Sequence, residues 1–171
     1  LFQPLIKIYP MKNLFCTISI IAIAFLAHSQ VFQEWANRFN GPNLSIFNPV
    51  GAIDVNGDVY IAGATRVGFV NHVVTIKYNK AGVQQWAVIS NAGQGTAIVL
   101  DNASNVYVTG TTTVNGTFDF ITIKYNSSGT EQWQSIYNGT LNALDIGSAI
   151  AIDNSGNVYV TGTSEGGKFP T

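Results

Sequence analysis

One stretch of this chain occurs three times in near-copy, and no other feature constrains the fold as much. "VGAIDVNGDVYIAGA", "TAIVLDNASNVYVTGT" and "AIAIDNSGNVYVTGT" follow one another along the sequence. Asp54 and Asp101 stand 47 residues apart, and Asp153 follows Asp101 by 52. "TIKYN" at 75–79 returns at 122–126, and Gly82 and Trp86 map onto Gly129 and Trp133, all at the same offset of 47. Several motifs sharing one offset mark a structural unit that has to be repeated, rather than a site that does chemistry three times.

Each unit reads as four short strands. In the second these are "TAIVLD", "NVYVTG", "FITIKYN" and "EQWQSIYN", each rich in β-branched or aromatic residues and bounded by Gly, Asn, Asp or Ser. A period of this length with four strands per unit predicts an all-β fold, a β-propeller of four-stranded antiparallel blades. The need for repetition is burial, since both faces of a blade are covered only by a blade on either side. In the third copy Val158 and Val160 point one way and Tyr159 and Thr161 the other. The small or aliphatic run Ala149 to Ile152 suits an innermost strand near the axis, and the Trp-bearing strand suits the outer edge. Units are expected at about 46–92, 93–139 and 145–171, the last truncated, which makes about two and a half blades against the 4–8 of a closed ring. The positions that define the repeat are Asp54, Asp101 and Asp153; Gly63, Gly110 and Gly162; Tyr78 and Tyr125; and Trp35, Trp86 and Trp133.

Composition agrees with this reading. Hydrophobic residues make up 46% of the chain, enough for a core, while only 10% are charged and the net charge is −1. That balance offers no basic field for nucleic acid. Polarity comes instead from Asn, Ser, Thr and Gly, which belong to turns and strand surfaces.

The N-terminal part reads differently. From Met11, "MKNLFCTISIIAIAFLAHSQ" has one basic residue, Lys12, an apolar run from Leu14 to Leu26, and small residues at Ala27 and Ser29. This is the pattern of a secretory signal peptide, 11–29, with cleavage expected after Ser29. Residues 1–10 then read as upstream translation outside the native protein, and 30–171 as the propeller. The apolar run is too short to span a membrane, so no transmembrane segment is expected in the mature chain. A buried or interfacial helix is the alternative. Cys16 is the sole cysteine and lies in the run, so the mature chain would have neither a disulfide nor a thiol nucleophile.

"AIDNSGNVYVTGT", "FITIKYNSSGTEQW" and "QSIYNGT" together resemble the secreted bacterial β-propeller repeat family, SBBP. Its units have an A-I-x-x-D-x-x-G-N-x-Y-V-x-G core, a K-Y-N strand and a G-x-x-x-W ending. The resemblance runs from about Trp35 to Gly162 and implies an exported or surface-displayed propeller with no general catalytic motif. Two residues depart from the pattern: Asp58 stands for the usual Asn, and Ser104 for the turn Gly. "VFQEWANRFNG" matches a fourth strand, and the third unit stops before its third strand, so the complete protein is expected to continue beyond Thr171.

Candidate chemistry is sparse. Asp54, Asn56 and Asp58 place oxygen ligands at alternate positions, as at the start of a calcium loop, but such a site needs 6–8 oxygens and residue 65, where a bidentate Glu is required, is Thr. The competing reading is a tight hairpin in which Asp or Asn bonds its own backbone. Lys77 and Lys124 are expected on a solvent-alternating face, each an apolar stem with a surface charge. His72 is the only histidine left after signal removal and maps onto Asp119, so neither a multi-His metal site nor a Ser/His/Asp triad assembles. Trp35, Trp86 and Trp133 suit edge packing first and sugar stacking second. The expectation is a secreted or cell-surface scaffold for binding or display, with no cofactor, whose unidentified partner is a glycan or a protein. The alternatives are part of a polysaccharide-acting enzyme with catalytic residues elsewhere, and a structural spacer.

Overall fold

The computed structural model describes residues 36, 45–114, 116–139 and 143–165. The expected signal segment, Cys16 and Trp35 lie outside the described residues. So do the strand matched to "VFQEWANRFNG", apart from Ala36, and the last residues of the third copy. The described strands all belong to one unit, Phe39–Thr171.

β-branched and aromatic residues in alternation, cut by Asp/Asn/Gly turns, give strands throughout and no helix among the described residues. The strands are β1 (Ile46–Ile53), β2 (Val59–Val67), β3 (Val70–Tyr78), β4 (Gln84–Leu100), β5 (Val106–Val114), β6 (Thr117–Tyr125), β7 (Glu131–Tyr137), β8 (Asp145–Ile152) and β9 (Val158–Ser164). All neighbours pair antiparallel, β1 to β7 in chain order and β8 with β9. No helix among the described residues is long and apolar enough to cross a membrane.

One detail corrects the expected four separate strands per unit. The fourth strand of the first unit and the first strand of the second are a single 17-residue strand, β4. Its first part pairs with β3, from Gln84↔Tyr78 to Ala92↔His72, and its second with β5, from Gly93↔Thr112 to Leu100↔Val106. The expected Trp strand is thus outermost in its group of four, yet it runs without a break into the next group.

Alternation sorts the side chains. Tyr60, Ala62 and Val73 from β2 and β3 meet Val106, Val108, Ile121, Ile123 and Tyr125 from β5 and β6 in one buried cluster, bordered by Trp86, Val88, Ile98 and Leu100. Its members are nearly fully removed from water, and each stabilises the fold by about 25 cal/mol per Å² of apolar area buried. The opposite face of the second group meets the third copy. There the Thr96 hydroxyl donates to the Gly147 carbonyl, and Thr109 Oγ1 lies 2.8 Å from where a Cβ on Gly147 would stand.

The repeated glycines have a shared geometric reason. Each lies in the second strand of its unit, opposite an irregular step in the first: Gly110 faces the shift at Gly95/Ala97, Gly162 that at Gly147/Ala149, and Gly63 that between Phe47 and Val50. The bulge brings a backbone carbonyl into the space a side chain would fill. A Cβ on Gly110 would overlap the Gln94 carbonyl oxygen, one on Gly162 that of Ile146, and one on Gly63 would stand 2.8 Å from that of Phe47.

Candidate functional site

The three repeated aspartates sit where the first and second strands of each copy join. In each turn the Asp backbone N–H donates to the carbonyl four residues on, at 3.0–3.1 Å, and the carboxylate is ringed by donors. Asp101 Oδ1 accepts from the Ala103 and Asn105 N–H groups, both at 2.9 Å, while Oδ2 takes the Asn105 side-chain amide at 2.7 Å and the Tyr107 hydroxyl at 3.2 Å. Asp153 repeats the set with Ser155, Asn157 and Tyr159. Asp54 accepts from the Asn56 and Asp58 N–H groups and the Tyr60 hydroxyl, but its remaining donor is the Ser104 hydroxyl, 3.0 Å away in the second copy's turn. Burial alone would raise the pKa of Asp54 and Asp101, but these donors outweigh it and hold both below the usual 3.8. For Asp153 the Asn157 side-chain amide is the largest influence, and the shift is again downward.

Asp58, the residue that departs from the repeat, faces away from this hub. Its carboxylate pairs with Lys77 Nζ at 3.0 Å and accepts the Lys80 N–H at 3.2 Å. Of the Asp54–Asn56–Asp58 calcium reading, the Asp54 and Asp58 carboxylates are thus already accepting hydrogen bonds. Among the described residues no three His, Cys, Asp or Glu side chains are grouped to hold a metal.

Lys77 and Lys124 do not project freely into solvent as the alternation suggested. Lys77 Nζ lies 5.0 Å from the Tyr60 ring centre and Lys124 Nζ 4.9 Å from that of Tyr107, since the strand register brings Lys77 opposite Tyr60 and Lys124 opposite Tyr107. Burial would lower the Lys77 pKa, but Tyr60 and Asp58 outweigh it and raise it. The Tyr60 pKa is pushed up by burial.

Trp86 joins the first two copies. Its ring meets Tyr60 edge-on at 6.1 Å and Tyr125 at 6.5 Å, and its indole N–H donates to the Ser127 carbonyl at 3.1 Å. Gly129 leaves room for that ring, as a Cβ there would stand 2.7 Å from Trp86 Cδ2. Trp133 repeats the edge-on contact with Tyr107 at 6.1 Å but is 38% exposed. Tyr78 and Tyr125 are buried, and burial raises the pKa of each. His72 donates through Nδ1 to the Ser90 carbonyl at 2.9 Å.

Sequence reasoning passed over a second acidic feature. Asp119 on β6 and Asp145 at the head of β8 are 1% and 0% exposed. Burial, and next the charge of Asp145, push the Asp119 pKa up. The available signal was Asp119 itself, a carboxylate at the position of His72 set between Phe118 and Phe120.

No curated protein matches the chain. The strand pair β8 and β9, with the Asp153 turn between them, lies within residues 135–170, which match the family model of the SBBP beta-propeller repeat, so the all-β antiparallel fold is of the propeller-repeat kind and this segment carries the family's signature.

Proposed function

We propose that the chain is an exported, non-catalytic β-propeller scaffold that presents its loops for binding or display, with a glycan or a protein as its partner. One observation supports this most: the side chains repeated from copy to copy are consumed in holding the fold. Each repeated carboxylate accepts four hydrogen bonds, and the repeated Trp and Tyr rings pack on one another. A carboxylate ringed by donors is a poor general base, because the same bonds that lower its pKa weaken its pull on a substrate proton. The hairpin role of the Asp54, Asp101 and Asp153 turns is part of this reading, and calcium at Asp54, Asn56 and Asp58 would have to displace the Lys77 pair and the Ser104 hydroxyl. Function then rests with loops on a rigid frame.

The test is expression of the full chain in a secreting bacterial host. Amino-terminal sequencing of the exported protein should begin at Gln30, and a glycan array or a panel of surface proteins should register binding with no release of sugar from soluble polysaccharides. Polysaccharide turnover that disappears on replacing a carboxylate of the chain would overturn the non-catalytic reading. Retention of residues 11–29 inside the cell would overturn export.

A further inference from the structure

Asp119 and Asp145 pose a problem that the scaffold reading does not solve. Neither Asp119 oxygen has a hydrogen-bond partner, nor does Asp145 Oδ1, although both side chains are more than nine-tenths buried. Asp145 Oδ2 accepts the Gly139 N–H at 2.7 Å, leaving the rest of the pair uncompensated. A carboxylate taken from water without a partner is costly, and two that feel each other's charge are more so. A second, independent observation lies beside Asp145. The space a side chain on Gly139 would occupy is lined by oxygen: Ser164 Oγ at 2.7 Å, Asp145 Oδ1 at 2.9 Å and Asp145 Oδ2 at 3.1 Å.

We propose that Asp119 and Asp145, with the Ser164 hydroxyl, form a site for a hard divalent cation where the third copy meets the second. All the donors are oxygens, which selects a cation of the calcium or magnesium kind over softer metals. Asp119 comes from the start of β6 and Asp145 from the start of β8, so the ion clamps one copy to the next. Ser164 is exposed, and the site opens to water on its side. Two carboxylates are few for such a site, which sets the dissociation constant on the order of 10⁻⁴–10⁻³ M. The site is distinct from the Asp54–Asp58 turn and independent of what the scaffold binds.

Calorimetric titration of the purified full chain with calcium, magnesium or manganese, paired with thermal melts in chelator and in each cation at matched ionic strength, tests this. A single bound cation is expected, with melting raised by roughly 3–6 °C at about ten times the dissociation constant. Asp119→Asn and Gly139→Ala should each abolish binding, the second by filling the oxygen-lined space, while Asp54→Asn leaves it intact. In chelator Asp119→Asn should melt above the parent, because it deletes an uncompensated buried charge, and that rise also shows that the variant folds. Absence of divalent binding in the parent, survival of binding in Asp119→Asn, or its loss in Asp54→Asn would overturn the site.

Discussion

The Ser104 hydroxyl reaches from the second turn to Asp54 Oδ2 in the first, at 3.0 Å. In the second and third copies the equivalent oxygen is bonded at 2.7 Å by the turn's own asparagine, Asn105 or Asn157. The first copy has Asp58 there, which cannot donate, and Ser104 supplies the missing bond. The two departures from the repeat pattern are therefore two halves of one arrangement. Ser104 does so from a positive φ of 58°, the left-handed turn conformation that its glycine counterparts hold at 84° and 83°.

Ser104→Ala keeps that backbone conformation and removes the bond, so it should cost about 1–2 kcal/mol in urea denaturation. Asp58→Asn restores an internal donor, and in that background Ser104→Ala should cost less by at least about 0.5 kcal/mol. Strict additivity in the double-mutant cycle would show that the two positions are uncoupled.

Trp86 and Trp133 occupy one repeat position in different surroundings. Trp86→Ala loses two ring contacts and the bond to Ser127, and should cost about 2–3 kcal/mol, whereas Trp133→Ala at a more exposed site should cost about 1 kcal/mol. Equal shifts in the denaturation midpoint would contradict the junction role of Trp86.

Glycine substitutions should separate steric from conformational demands. Gly110→Ala drives a Cβ into the Gln94 carbonyl and should cost about 3 kcal/mol or more. Gly156→Ala, at φ +83° with nothing within 4 Å, meets only the penalty of a left-handed backbone, about 1 kcal/mol. Thermal melts of the two variants check the ranking.

Asp54, Asp101 and Asp153 have folded pKa values below their unfolded ones, so each adds stability above the unfolded value near 3.9 and loses it as pH falls through the folded value. Stability should thus fall on acidification below about pH 4. Tyr107→Phe, which removes one donor to Asp101, should shrink that acid-dependent part. An unchanged slope of stability against pH in the variant would show that Tyr107 does not tune Asp101.

The repeat made the strands and turns legible, because each boundary is spelled by local chemistry: Asp or Asn at a turn, Gly at a left-handed residue, β-branched residues between. The unbroken passage through β4 was not legible, since "SNAGQG" at 90–95 has the composition of a turn. Its glycines serve close approach instead, with a Cβ on Gly93 overlapping the Thr111 carbonyl. The Lys77 and Lys124 contacts escaped the alternation argument because they depend on which residue lies opposite across the ladder. Asp119 and Asp145 escaped it because their proximity arises from packing between copies, which no spacing along the chain encodes.

β4 has a mechanical consequence. A loop between two repeats holds slack, a length of chain that straightens before either repeat feels a load. Where a single strand is hydrogen-bonded to β3 along one half and to β5 along the other, there is none. Tension applied to the first repeat passes at once into the second through a covalent spar already drawn taut, so under stretching the two should bear force as one element.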